Sequence, residues 1–321
     1  MQKIKIGISS CLLGNAVRYD GGHKLERQLT DRLRRYVDFV PVCPEVQSGM
    51  GIPREPMNLE GETKSPRLIA HESRRDKTAM LSRWLKKELP RLGDENLCGF
   101  IFKSGSPSCG MEKVDIYDKK GNPAQKGTGL FARAFMSCFP RLPVTDERRV
   151  QNTLELDNFM EMAVVLKCWR EARSVEQLPE AWKEFHLRHR LLISAHSPTL
   201  CREMERLIPD PKRKATGVQA LVRQYEELLF RALKLKTTPA KNAYVLCRAG
   251  TCLKKHISPG ENKKFARAVD DYRQGLTSLN ACFALANRYA KKYDCAFLKK
   301  QVYLNAYPGV GKPLPNKAPN T

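Results

Sequence analysis

The sequence predicts an α/β N-terminal domain with a mostly parallel sheet, followed by an all-α C-terminal domain. In the first half of the chain, short β-branched runs alternate with segments whose apolar residues recur at helical spacing. From about residue 145 to residue 304 the helical spacing continues, and strand-like runs are no longer found. A chain of 321 residues is long enough for two domains of ordinary size.

Three short apolar runs in the first half are the predicted strands. They are Lys3–Ser9, Val37–Val42 and Gly99–Lys103, and the helices between them are expected at Leu25–Tyr36 and Lys77–Leu89. Strands that alternate with helices pair in parallel through right-handed crossovers. The sheet is therefore expected to be Rossmann-like.

A domain boundary is expected near PRLPVTD, residues 140–146. Its two prolines end the preceding element, and Thr145-Asp146-Glu147 is typical of a helix start. We expect a first domain over residues 1–143, a helical domain over 144–307 and a disordered tail over 308–321. The helices expected after the first of that domain are Pro179–Ser194, Gly217–Lys234, Lys241–Lys255, Lys263–Leu276 and Leu279–Tyr293.

The net charge of +23 indicates a polyanionic partner. Residues 1–145 hold 25 Lys and Arg against 16 Asp and Glu, and residues 146–321 hold 32 against 18. Both halves are basic, and the second is more so. The alternative is a basic surface that serves only solubility.

We expect neither a membrane span nor a secretory leader. No apolar run reaches the roughly 18–20 residues that cross a bilayer, and MQKIKIGISS lacks the apolar core of a signal peptide. We expect a cytoplasmic protein with no membrane partner. Its eleven cysteines are an odd number scattered along the chain, so a secreted disulfide framework is not expected.

Cys11, Cys43 and Cys109 each follow one of the three predicted strands. Loops that follow parallel strands meet at one edge of a sheet, so the three thiols are expected to converge there. Three thiolates suit a soft metal, and the CxxC spacing of structural zinc sites is absent. An iron–sulfur cluster held by three thiolates keeps one iron open to a substrate. The alternative is that these cysteines are ordinary buried apolar residues.

The motifs around these cysteines resemble the TudS-type thiouracil desulfidase family over roughly residues 1–140. They are SSCLLG with VRYDG, VCPE, GIPREP and KSGSPSCG. The second half resembles the YbgA-type domain in FHLRHRLLISAH, Tyr272-Arg273 and LKKQVYLNAYP. The fusion is similar to the RudS-type RNA desulfidases, which act on 4-thiouridine in tRNA.

The resemblance implies a 4Fe-4S cluster bound by Cys11, Cys43 and Cys109, with one open iron. It also implies a catalytic Glu, which is Glu45, and a catalytic Ser. Ser104 is our first choice for this Ser, and Ser106 is the second. A set of neighbouring polar residues is assigned to substrate binding: Arg18, Asp20, Arg54, Lys103 and Ser106. For Glu45 the alternative is an acid at a helix start, and for the arginines and Asp20 it is a loop salt bridge.

The helical half is expected to bind RNA. His186, Arg188, His189 and Arg190 crowd one predicted helix, and Lys254, Lys255 and Arg273 are possible additions to a phosphate-binding face. A metal site at these histidines lacks carboxylate or thiol partners. The alternative is that the cations are solvated while the histidines pack between helices. Cys247 and Cys252 are interpreted as packing residues.

Taken together, these features predict an RNA desulfidase that hydrolyses 4-thiouridine in tRNA to uridine and releases sulfide without electron transfer. Partners would be tRNA and its thiolated nucleobase. One alternative is the same chemistry on free thiouracil or thiolated nucleosides. A second is a non-enzymatic RNA-binding or redox-sensing iron–sulfur protein, in which an open iron and Glu45 would have no role.

Overall fold

The structure is a computed structural model that describes residues 3–118, 120–176, 178–209 and 217–305. The chain separates into two compact units, Met1–Val164 and Val165–Thr321. The predicted tail over 308–321 lies outside the described residues.

The first unit contains both sheets. Its strands are β1 (Ile4–Ser9), β2 (Val37–Val42), β3 (Met57–Glu60), β4 (Arg67–Ala70), β5 (Phe100–Phe102), β6 (Val114–Tyr117), β7 (Pro123–Gly127) and β8 (Val144–Asp146). Its helices are α1 (Arg27–Leu33), α2 (Pro44–Gln47), α3 (Thr78–Asp94) and α4 (Leu130–Cys138). Helix α5 (Thr153–Arg173) runs across the division between the units.

The predicted parallel sheet is confirmed. Strands β2, β1, β5 and β8 lie side by side in that order, and every neighbouring pair is parallel. The register sets Ile4 opposite Val37 and Ser9 opposite Val42, so β1 and β2 end level with each other. The loops that follow these strands therefore start from one edge.

The helix start expected at Thr145 is wrong. Val144–Asp146 is strand β8, in which Thr145 pairs with Ile101 of β5. A strand of only three residues is too short to show an alternating pattern, and its polar Thr and Asp are buried in the sheet. The helix begins later, where the side chain of Asn152 accepts the N–H of Leu154 at 2.9 Å.

A second, mixed sheet is an addition that the sequence pattern did not predict. Strands β4, β3, β6 and β7 form it in that order, with β3 and β6 parallel and the outer pairs antiparallel. Its strands have four or five residues, and β7 is almost entirely exposed, so little hydrophobic periodicity marks them.

An aromatic cluster fixes α4 against β5. Phe100 and Phe102 of β5 contact Phe131 and Phe135 of α4, with ring centroids 4.7–5.8 Å apart. All four side chains are fully buried. Burial of each phenyl ring contributes about 2–3 kcal/mol. The loop that joins β5 to the second sheet and α4 is therefore anchored on a rigid base.

The second unit is helical, as predicted. Its helices are α6 (Leu178–His196), α7 (Pro198–Leu207), α8 (Val218–Lys234), α9 (Pro239–Leu253), α10 (Pro259–Arg273), α11 (Leu279–Lys292) and α12 (Ala296–Lys300). Trp169, Trp182 and Tyr225 form its aromatic centre, where their ring centroids lie 4.8–5.8 Å apart. Within the described part of the chain, no helix has the length and apolar character needed to cross a bilayer.

Candidate active site

The three predicted cysteines lie at the same edge of the parallel sheet. Cys11 is in a 3₁₀ turn, Ser10–Leu13, directly after β1. Cys43 is the residue after β2 and precedes the short helix α2. Cys109 lies in the loop after β5 and is 6% exposed. The strand ends thus bring together three thiols that are widely separated in sequence.

The three thiols are close enough to influence one another's pKa values. Burial raises the pKa of Cys11 to about 11, and the charge of Cys43 adds to the effect. Burial also raises the pKa of Cys43, and raises that of Cys109 well above its usual range; Cys43 and Cys11 act on Cys109 in the same direction. Within the described residues, no three His, Cys, Asp or Glu side chains surround a position for a single metal ion.

The loop that carries Cys109 is held by its own serine. The hydroxyl oxygen of Ser106 accepts the backbone N–H groups of Ser108 and Cys109 at 3.2 and 3.0 Å. The carbonyl of Ser108 accepts the N–H groups of Phe131 and Ala132, which satisfies the first turn of α4. Hence Cys109 is positioned by a turn that is bonded at both ends.

Glycine is required where this loop crosses the start of α4. A Cβ atom on Gly129 would lie 2.6 Å from the carbonyl carbon of Ser108. No real side chain tolerates such a distance to backbone. The close approach lets the N–H of Gly129 bond the carbonyl of Gly110 at 2.8 Å.

Glu45, the predicted catalytic carboxylate, is paired with Arg54. The guanidinium donates to Glu45 Oε2 from Nε at 3.1 Å and also from Nη2. Arg54 further donates to the carbonyl oxygens of Val17 and Gly51, at 3.0 and 3.2 Å. The side chains of Arg54 and Glu45 are only 9% and 15% exposed. Arg54 therefore orients the carboxylate and ties it to the loop after Cys11.

Arg18 and Asp20 lie in that loop and pair with each other. Arg18 Nε is 3.4 Å from Asp20 Oδ1, and the guanidinium lies over the ring of Tyr19. Asp20 is exposed and accepts the N–H of Gly22 at 3.0 Å. The positive charge of Arg18 acts to lower the pKa of the Cys11 thiol, so Arg18 lies near the site. Asp20 forms a salt bridge with Arg18, which was the alternative interpretation of these residues.

Lys103 and Ser104 share a partner that sequence reasoning missed. Glu147 follows β8 and is 5% exposed. Its carboxylate accepts Lys103 Nζ at 2.5 Å, Ser104 Oγ at 2.6 Å and the N–H of Ser104 at 2.7 Å. Burial opposes ionisation of Glu147, but the hydrogen bonds from Lys103 and Ser104 outweigh it and lower the pKa. Glu147 was overlooked because it stands within the segment that resembles a helix start.

The predicted RNA-binding residues do not share one environment. His186 and His189 are 1% and 2% exposed, so their assignment to a phosphate-binding face is wrong. They pack between helices because both lie on the inner side of α6. Arg190 is half-buried and forms an ion pair with Glu205 at 2.8 Å. Arg188, Lys254, Lys255 and Arg273 are exposed, and Arg273 lies 3.7 Å from Asp270.

Both buried imidazoles bond through their Nδ1 atoms. His186 Nδ1 is 3.0 Å from the hydroxyl of Tyr225, and His189 Nδ1 is 2.7 Å from the carbonyl oxygen of Phe185. Burial lowers the pKa of each to about 4. They are therefore neutral at physiological pH and carry no charge for an anion.

Cys247 and Cys252 lie on α9. Cys247 is exposed and Cys252 is partly buried, and burial raises the pKa of Cys252. In the part of the chain that the structure describes, neither thiol belongs to a group arranged around a metal ion.

The fold and site define a two-unit protein whose α/β unit carries a thiol-lined site beside a paired carboxylate. The model of the 2-thiouracil desulfurase family matches residues 6–147. A family of proteins of unknown function, DUF1722, matches residues 190–308. The chain is 34% identical over 111 residues to the uncharacterized protein YbbK of Bacillus subtilis, covering 32% of this chain and 71% of that one.

The chain therefore belongs to the 2-thiouracil desulfurase family and is an enzyme of the desulfidase class. The second match confirms that a separate family region follows it, as the predicted fusion requires. Among solved structures, the 4Fe-4S-dependent thiouracil desulfidase TudS is 28% identical. That match covers 51% of this chain and 99% of the other, with a TM-score of 0.37.

Proposed function

We propose that this protein hydrolyses 4-thiouridine in tRNA to uridine and sulfide in the cytoplasm, with a 4Fe-4S cluster bound by Cys11, Cys43 and Cys109. The observation that carries the proposal is that Cys11, Cys43 and Cys109 follow three neighbouring parallel strands at one sheet edge, where Glu45 also lies. Family membership supplies the desulfidation chemistry. The proposal goes beyond family membership in two respects, which are the tRNA substrate and the three cysteine ligands of the cluster.

The donor set fits an iron–sulfur cluster. Three soft sulfur ligands suit iron–sulfur chemistry. When bound, such a cluster would supply a Lewis-acidic iron for the soft thiocarbonyl sulfur.

The remaining steps belong to side chains of this chain. Glu45 is oriented by Arg54 and would take a proton from the water that attacks the ring carbon. Ser104 would hold a polar atom of the ring or relay a proton, and Arg18 and Lys103 supply positive charge at the site. The balanced reaction converts a thiocarbonyl and one water into a carbonyl and hydrogen sulfide.

The charge distribution supports a polynucleotide substrate over a free base. The net charge is +23, and the excess of Lys and Arg is larger after residue 145 than before it. Exposed cations of the helical unit include Arg188, Lys254 and Lys255. Phosphate contacts of such residues supply a large share of the affinity of proteins for nucleic acids.

The test is a paired desulfidation assay. We expect anaerobically reconstituted protein to remove the 4-thiouridine absorbance from bulk tRNA and to release an equal amount of sulfide. Cys43→Ser and Glu45→Ala should abolish both signals, while Cys247→Ser, at an exposed cysteine of α9, should leave them unchanged.

Two results would contradict the proposal. Turnover of free thiouracil without turnover of tRNA would assign the protein to the nucleobase alternative. Sulfide release by Cys43→Ser at the wild-type rate would exclude the proposed ligand set.

A further inference from the structure

Glu147 is a buried carboxylate at the sheet edge that carries the cysteines. It follows β8, and its own N–H bonds the carbonyl of Phe102 at the end of β5, at 3.3 Å. Its side chain accepts three hydrogen bonds from Lys103 and Ser104, the two residues that follow β5. Both oxygens of the carboxylate are used.

Stability of the fold does not explain this arrangement. A carboxylate and an ammonium lose hydration when they are buried, and apolar pairs of similar volume stabilise a fold as well or better. The side chains of Lys103 and Glu147 are 19% and 7% exposed. The buried Lys103–Glu147 ion pair is better explained by a role in positioning neighbouring side chains.

The carboxylate of Glu147 holds Lys103 and Ser104, two residues that were assigned to the site. Lys103 donates to the carbonyl of Ser104 at 2.8 Å as well as to Glu147, so the two residues form one closed network. The charges of Lys103 and Glu147 both act on the thiol of Cys11. The N–H of Lys103 bonds the hydroxyl of Ser9, the last residue of β1. The network therefore adjoins the ends of β1 and β5, the strands that precede Cys11 and Cys109.

We propose that Glu147 is a positioning residue for desulfidation, which fixes the Lys103 ammonium and the Ser104 hydroxyl at the carboxyl edge of the parallel sheet. The proposal rests on the proposed function for the role of this edge. Glu147 itself does not contact the substrate. It acts through its two partners, so removing it should have no effect beyond the loss of their placement.

Glu88 provides a matched control within the same unit. It is 7% exposed and receives two hydrogen bonds from Arg91, at 2.6 and 2.9 Å, but it lies on α3 and has no part in the site. Glu147→Gln and Glu88→Gln each remove one buried negative charge and keep the side-chain shape.

The first experiment is a double-variant cycle on holoenzyme, with rates measured on bulk tRNA that contains 4-thiouridine and expressed per cluster. We expect Glu147→Gln to lower kcat about 10-fold to 100-fold, the range for partners that orient a metal site's groups. KM should change much less, and Glu88→Gln should match wild type. Adding Ser104→Ala to Glu147→Gln should cost no more than the worse single change, because both act through one hydroxyl.

The second experiment needs no catalytic turnover. The holoenzyme is acetylated with an amine-reactive ester, and modification of Lys103 is followed by mass spectrometry. Lys103 should be protected in wild type and in Glu88→Gln, and at least several-fold more reactive in Glu147→Gln. If wild type proves inactive on every thiolated substrate, the proposed function fails, but this measurement still decides whether Glu147 positions Lys103.

A third variant covers a failure of Glu147→Gln to fold. Lys103→Met with Glu147→Leu replaces the ion pair by apolar side chains, and its midpoint of urea unfolding should equal or exceed that of wild type. Its kcat should be at least as low as that of Glu147→Gln. Three results would each overturn the proposal. They are a wild-type kcat in Glu147→Gln or in Lys103→Met with Glu147→Leu, multiplicative effects of Glu147→Gln and Ser104→Ala on kcat, and unchanged reactivity of Lys103 in Glu147→Gln.

Discussion

At the scale of single residues, the two serines of KSGSPSCG differ in how their hydroxyl groups are used. The hydroxyl hydrogen of Ser104 is donated to Glu147 at 2.6 Å. The oxygen of Ser106 instead accepts two backbone N–H groups, including that of Cys109. Ser104 is thus joined to an ionised group that can exchange a proton, whereas Ser106 shapes the turn that presents a thiol.

This difference predicts distinct defects for the two alanine variants. Ser104→Ala should keep its cluster and lose turnover per cluster. Ser106→Ala leaves two N–H groups without their acceptor, at a cost of about 1–3 kcal/mol, so it should bind less cluster. Iron content and visible absorbance measure the cluster, and sulfide release measures turnover. The reverse outcome, full cluster with no turnover in Ser106→Ala, would transfer the catalytic role to Ser106.

Sequence reasoning located the residues that follow recognisable strands and missed the residue that does not. Cys11, Cys43 and Cys109 were predicted because loops after parallel strands share an edge. Glu147 also follows a strand, but β8 has only three residues, and Thr145 and Asp146 inside it are polar. Only its pairing with β5 identifies it as a strand, and pairing is a long-range property that local pattern does not contain.

At the scale of helices and strands, the extent of α6 could be predicted from the sequence, but the face that it buries could not. Its length was predicted well because its apolar residues recur at helical spacing. Which of its polar residues face inward was not predicted, since His186 and His189 are one helical turn apart and fit either a basic surface or a helix contact. Stacking of His189 on Phe185, with ring centroids 4.1 Å apart, places this face in the core.

The buried histidines His186 and His189 predict acid-sensitive folding of the helical unit. Burial lowers the pKa of each to about 4, whereas an unfolded histidine has its usual value near 6.5. Between pH 4 and pH 6.5 these histidines are protonated in the unfolded state but neutral in the folded state. Stability is therefore fully present above pH 6.5 and falls as pH approaches 4, by about 3 kcal/mol for each histidine.

Urea unfolding at pH 7 and pH 5 measures this effect. A Trp84→Phe background leaves Trp169 and Trp182, both in the helical unit, as the fluorescent reporters. His186→Gln keeps a partner for Tyr225 and should remove about half of the pH dependence. The exposed His256, changed to Gln, is the control and should leave the slope as in wild type. Equal stability at pH 7 and pH 5 would contradict the assignment.

At the scale of the whole molecule, charge connects the desulfidase region to its proposed substrate. A nucleobase carries no charge that would require an excess of 23 positive groups, whereas a tRNA carries one negative charge for each phosphate. Binding that neutralises phosphates releases counterions and therefore weakens steeply as salt is added. The test of an RNA face is whether particular cations, rather than net charge alone, set that salt dependence.

Two pairs of neighbouring lysines make this test. Lys254 and Lys255 are exposed at the end of α9, and Lys86 and Lys87 are exposed on α3 of the first unit. Reversing either pair to Glu changes the net charge equally. If Lys254 and Lys255 bind phosphates, their reversal should reduce the slope of log K against log salt for tRNA by about 0.7–0.9 for each phosphate that is no longer neutralised. Reversal of Lys86 and Lys87 should lower the affinity slightly and leave the slope unchanged. Equal slopes for both variants would show that tRNA responds to overall charge, and the proposed face would have to be abandoned.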